Sequence, residues 1–145
     1  MASAFDVARY ILEQRGAMSA MKLQKLVYYS QAWSLVWDER PLFENNIEAW
    51  AHGPVVRSLY EAHRGKFSVE AQDFPAGDSS HLTALERETI DAVLIGYGDK
   101  TAQWLSDQTH AETPWRAART GLGDSDRGCS TISHASLAEY YSAIQ

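Results

Sequence analysis

Cysteine is almost missing from this chain, with Cys129 alone among 145 residues. A single thiol forms no internal disulfide and supplies no Cys-rich zinc site, so the simplest home for the chain is a reducing cytoplasm. Long apolar runs are missing too: none approaches the roughly 20 residues that a membrane span needs. The opening MASAFDVARYILEQRG has an early acidic residue and no apolar signal core, and does not read as a secretory leader. Basic charge is scarce. Lys and Arg number 13 against 19 Asp and Glu, for a net charge of −6. The basic residues are also scattered, the closest groups being Lys22 with Lys25, then Arg57, Arg64 and Lys66. Nucleic-acid binders draw most of their non-specific affinity from a basic face that neutralises phosphates. Neither nucleic acid nor membrane is therefore expected as a partner of this chain alone, and an acidic protein suits a basic protein partner better.

Signatures of chemistry are absent as well. His52, His63, His81, His110 and His134 show no i,i+4 pair and no HExxH spacing. His110 and Glu112, two apart, point in different directions on a helix. Cys129 lies in a Gly/Ser loop without a flanking nucleophile signature. Gly121–Leu122–Gly123 lacks the third glycine and the preceding strand of a dinucleotide fingerprint. Asp124–Gly128 lacks the third acidic position and the distal Glu of a calcium loop. The carboxylates of Glu86/Glu88 and Asp38/Glu39 lie on neighbouring helix faces and form no acid–base pair. No catalytic residue, metal ligand or cofactor is expected.

What the chain does have is one strongly apolar helix and many aromatics. Leu23, Leu26, Val27, Ser30, Trp33, Ser34, Val36 and Trp37 keep helical spacing, and Tyr28, Gln31 and Leu35 cover much of the other side. A helix that is apolar on more than one face is packed on several sides, which makes residues 20–37 the expected core helix. An apolar content of 45% with 22% charged residues, at a length that buries about 70% of the unfolded surface, predicts one domain over 1–145. Around the core helix, Ser3 with Asp6 and Thr83 with Glu86 form capping boxes, Gly16 stops the first helix, and Ser19 and Ser133 cap others. Gly53–Pro54 is expected to start a helix, with proline at its first position. Asp99 is expected to cap the helix through Ala102, Leu105 and Gln108, and Thr113–Pro114 to open a short one. Ile47–Ala51 alternates as a strand after the Asn45–Asn46 turn, and its partner is either Phe67–Glu70 or Ser130–Ile132. Residues 66–82 carry Pro, Gly and Ser and read as a mobile loop. The expected architecture is mainly α: about six helices around 20–37, with a small two- or three-stranded β element near 47–51.

Five Trp and seven Tyr exceed what a core of this size needs, and such side chains dominate protein–protein binding energies. Trp115, at the start of a short helix, and Trp50, beside the His-Gly-Pro corner, are the expected exposed anchors.

Three stretches together resemble a known family. MKLQKLVYYSQAW (21–33), EAWAHGPVVRSLY (48–60) and SDQTHAETPWRAAR (106–119) are similar, in that order, to the Panacea or SocA-like antitoxin domain, the likeness being strongest over 5–119. Positions that match include Lys22, Leu23, Lys25, Leu26, Tyr28, Tyr29, Trp50, His52, Gly53, Pro54, Val55, Leu59, Tyr60, Thr109, His110, Pro114 and Trp115. Lys22, Leu23, Leu26, Tyr29, Gly53, Pro54, Leu59 and Tyr60 read as fold determinants. The resemblance implies a small, mainly α domain without catalytic residues, acting as the antitoxin of a type II toxin–antitoxin pair by direct contact with its toxin. A second implied role is that of an adaptor, or a phage-associated protein, delivering a partner to a ClpXP-type protease. A third reading, from the scattered histidines, is a metal-dependent hydrolase. For the antitoxin reading the expected contact residues are Trp50, His52, Arg57, His110 and Trp115, on a patch joining the His52–Arg57 corner, the 66–82 loop and the Thr109–Trp115 segment.

Overall fold

An 18-residue helix, α2 (Ala20–Trp37), threads the centre of the computed structural model, which describes residues 1–145. Ser19 caps it, its hydroxyl accepting from the Lys22 N–H at 3.1 Å. Every residue from Leu23 to Ser34 is buried, as a helix apolar on several faces requires. Around it stand α1 (Ala4–Arg15), α4 (Ala84–Tyr97), α5 (Ala102–Ala111) and α7 (His134–Ile144), with α3 (Arg57–His63) and α6 (Thr113–Ala118) completing seven helices instead of about six. One cluster of 32 buried apolar residues joins them all. The capping boxes at Ser3/Asp6 and Thr83/Glu86 form as their spacing predicts, and Ser133 caps α7. Thr101, not Asp99, caps α5, because its hydroxyl lies where the Trp104 N–H can reach it at 3.0 Å. No helix is long and apolar enough to cross a membrane.

Polar residues inside α2 hold the extended segments in place. Strands β2 (Ile47–Trp50) and β3 (Gly53–Val56) form an antiparallel hairpin with Trp50 opposite Gly53 and Ile47 opposite Val56. The Gly53–Pro54 pair therefore begins a strand, and the helix expected there starts only at Arg57. Pro54 has no N–H to give, and it occupies a position whose backbone faces α2 instead of β2. There the Lys25 ammonium donates to the Pro54 carbonyl at 3.3 Å. Next along, the Gln24 amide accepts from the Val56 N–H at 2.9 Å and donates to the Val56 carbonyl at 3.2 Å. One turn pair further on, Gln31 serves the backbone of Leu42 and Phe43 in the same way. These side chains act as a substitute strand, so buried backbone groups are not left without partners.

The other edge of β2 is met by residues 130–132: Ala49 N–H donates to the Ser130 carbonyl and Ile132 N–H to the Ile47 carbonyl, both at 2.8 Å, with Glu48 opposite Thr131. Of the two partner strands expected for 47–51, Ser130–Ile132 pairs and Phe67–Glu70 does not. Residues Ser68–Val69 (β4) pair instead with Met18–Ser19 (β1) in a separate two-residue ladder. The 66–82 segment is tied to α1 through Asp78 N–H to Asp6 at 2.8 Å, Ser79 to Glu13 at 2.6 Å and Arg9 to the Phe74 carbonyl at 3.3 Å.

Candidate functional site

The β2–β3 hairpin turns through only Ala51 and His52, and so fixes the exposed face of β2 against the start of α3. Ile47 and Ala49 point inward, while Glu48 and Trp50 point outward, half-buried. The outward pair is locked. Arg57 makes a bidentate ion pair with Glu48 (3.0 and 2.8 Å), the Trp50 indole N–H donates to the same carboxylate at 2.8 Å, and the guanidinium lies 5.3 Å above the Trp50 ring. Tyr60 meets Trp50 edge-on at 4.9 Å. The hydrogen bond from Arg57 holds the Glu48 carboxyl below the usual range, and Glu48 in turn raises Arg57. Bidentate pairing and cation–π contact fix a side-chain geometry more than they add net stability at a surface.

Beside these residues opens a groove of about 770 Å³, lined by Trp50, His52, Arg57 and Tyr60 on one side and by Arg127 to Cys129 on the other. Its floor is rigid because of what lies behind it. Trp115 is 2% exposed and donates its indole N–H to the Trp50 carbonyl at 2.8 Å. His110 stacks on the Trp115 ring at 4.0 Å, and Arg119 covers it at 5.0 Å. The buried Arg119 guanidinium donates to the carbonyls of Ala49 and Gly123 (3.0 and 2.9 Å) and of Asp126, stitching the 120–128 loop to β2. Burial lowers His110, as does the positive charge of Lys25, and its Nε2 is buried without a partner.

Trp50, His52 and Arg57 thus come together on one accessible wall. His110 and Trp115 are directly behind it, and the expectation of an exposed Trp115 anchor is corrected: the indole is the internal prop of the hairpin. The 66–82 loop lies against α1 and does not line the groove. Residue type alone assigns no role to Arg127, Gly128 and Cys129, and the one sequence signal beside them is the strand pattern of the adjoining Ser130–Ile132. Lys25, at the base of the corner, is wholly buried, and its place on a helix apolar all round was the available hint. No three His, Cys, Asp or Glu side chains converge as metal ligands would. Chemically, the arrangement offers aromatic faces, one guanidinium held in place, and hydrogen-bonding edges, all suited to non-covalent recognition.

The model of the family described as Antitoxin SocA-like, Panacea domain, matches residues 23–116, from α2 through the hairpin to α6. Among curated proteins, Antitoxin SocA of Caulobacter vibrioides (strain NA1000 / CB15N) is 30% identical, over 81% of this chain and 70% of its own length. Among solved structures, none matches.

Proposed function

We propose, from the premise that this chain belongs to the Antitoxin SocA-like, Panacea domain family, that it is the antitoxin of a type II pair and neutralises a cognate protein toxin in the cytoplasm by direct binding, without catalysis. The observation that carries the reading is the groove beside Trp50. Inside the family-matched stretch, an aromatic pair and an arginine are held rigid yet accessible by a buried tryptophan prop. Pre-ordered anchors lose little side-chain entropy on association, which is what a tight inhibitor needs. Trp50, His52, Arg57 and Tyr60 make the contacts in this reading; His110 and Trp115 hold them in position.

The test is co-expression with the adjoining open reading frame in a host that this frame alone stops from growing. The wild-type chain restores growth. Trp50→Ala and Arg57→Glu each weaken the purified complex by about 2 kcal/mol, roughly thirtyfold, as truncation of a central anchor does, and they leave the far-UV spectrum unchanged. Equal affinity of both variants and the wild type would remove this groove as the contact. Delivery to a ClpXP-type protease is a separable addition: it makes the toxin's half-life depend on the protease, whereas occlusion alone does not.

A further inference from the structure

The small sheet beside the groove has two outer edges, treated in opposite ways. On the β3 side, the Pro54 carbonyl and both backbone groups of Val56 are occupied by Lys25 and Gln24. On the other side lies the 129–132 segment. The bonds that join it to β2 use the Ser130 carbonyl and the Ile132 N–H, with Glu48 and Thr131 opposite each other. In an antiparallel ladder of that register, the N–H and C=O of Thr131 point away from β2, and alternation places those of Cys129 beside them. Neither residue makes any backbone hydrogen bond within the chain, and both are exposed. Sheet edges are normally blunted by a charge, a proline or a bulge. Cys129-Ser130-Thr131 has neither charge nor proline.

This edge also borders two depressions. Cys129 lines the groove of about 770 Å³ that contains Trp50, Arg57 and Tyr60, and Thr131 lines a second of about 280 Å³ with Asn46 and His134. Two arginines and no carboxylate line the larger one. Arg57 is committed to Glu48, while Arg127 has no carboxylate within ion-pair distance. An open edge with pockets at alternate positions is the geometry of strand addition, in which backbone bonds give affinity and pockets select side chains.

We propose that an extended segment of the toxin adds to this sheet as a strand along Cys129–Thr131, seating an apolar or aromatic side chain against Trp50 and Tyr60 and a carboxylate at Arg127. This rests on the antitoxin reading and gives it a binding mode. The proposal is tested by amide hydrogen exchange on the full chain, free and in purified complex with the product of the adjoining open reading frame. Strand addition slows exchange at Cys129 and Thr131 at least tenfold and leaves Ser130, already turned toward β2, unchanged. Thr131→Pro deletes an outward N–H that bonds nothing within the chain; it weakens the complex at least tenfold with an unaltered unfolding midpoint. Protection confined to other surfaces overturns strand addition while the antitoxin reading stands. Absence of any complex overturns both. Protection of Cys129 and Thr131 in the free chain that grows with its concentration assigns the edge to a second copy of this chain and overturns a toxin strand there.

Discussion

Lys25 is the residue with the most unusual surroundings in the molecule. Its side chain is wholly buried, its Nζ reaches only the Pro54 carbonyl, and its stem passes so close to Gly53 that a Cβ there would stand 2.6 Å from its Cε. Gly53 also has a φ of +120°, a conformation that favours glycine. Burial pushes the ammonium from 10.5 down to about 7. Between those two values the unfolded chain holds a proton that the folded chain lacks, so the contribution of Lys25 to stability rises with pH, by about 1.4 kcal/mol per unit. Below pH 7 the group is charged in both states and its burial costs most. Replacing even a buried ion pair with apolar side chains of similar volume is often neutral or stabilising by about 1–4 kcal/mol, and Lys25 has only the Pro54 carbonyl to offset the burial of its charge. Lys25→Met is therefore expected to be more stable than the wild type in urea at pH 6.5, with the gap narrowing steadily by pH 9. A gap of constant size would mean that the lysine keeps its ordinary proton affinity inside the fold.

At the scale of elements, the glutamines of α2 decide where the extended segments lie. Gln24 uses its oxygen for the Val56 N–H and its nitrogen for both the Val56 carbonyl and His63 Nε2, at 3.0 Å. An amide nitrogen can only donate, so His63 Nε2 must accept and is unprotonated, in line with the downward push that burial gives this ring. Gln24→Leu strands three buried polar groups at once. Each costs about 1–3 kcal/mol, so a loss of about 4 kcal/mol is expected in urea unfolding, together with faster exchange of the Val56 amide. A loss below about 1 kcal/mol would mean that water or another side chain takes over the role. The same elements mark what the sequence could and could not reveal. Most helices and caps were legible because both ends of each signal, such as Thr83 and Glu86, lie within four residues, although α5 is capped by Thr101 and not by Asp99. The strand at Gly53–Val56 was not, since its partners are β2, Gln24 and Lys25, and a Gly-Pro pair carries a helix-start signal that pairing overrides. That Trp50 and Arg57 could share one surface was legible from residue type and from their place around the His-Gly-Pro corner, and both line the groove. The burial of Trp115 was not, because it depends on the Trp50 carbonyl 65 positions away.

Across the whole molecule, the C-terminal helix completes a core that the family-matched stretch leaves unfinished. The match ends at residue 116, yet Leu137 and Tyr141 of α7 are fully buried against α2. Tyr141 and Tyr29 both donate to one oxygen of the buried Glu112 carboxylate, each at 2.7 Å, and the Tyr28 hydroxyl lies 3.0 Å from that of Tyr141. Burial above all raises these phenols, with the Glu112 charge adding to it, so they remain donors throughout the pH range of folding. A carboxylate inside a core is tolerated only while its oxygens are satisfied. Ending the chain at Ser133 would take one donor from Glu112 and expose the flanks of Tyr28, Tyr29 and Trp33. The truncated chain is accordingly expected to lose its single cooperative urea transition. Tyr141→Phe keeps the ring and removes one hydroxyl, and is expected to stay folded at a cost of about 1–3 kcal/mol. Because α7 starts two residues after Ile132, with only its cap Ser133 between, its docking also holds the open sheet edge beside the groove. A truncated chain that unfolded at the wild-type midpoint would show that the family-matched stretch folds without this helix.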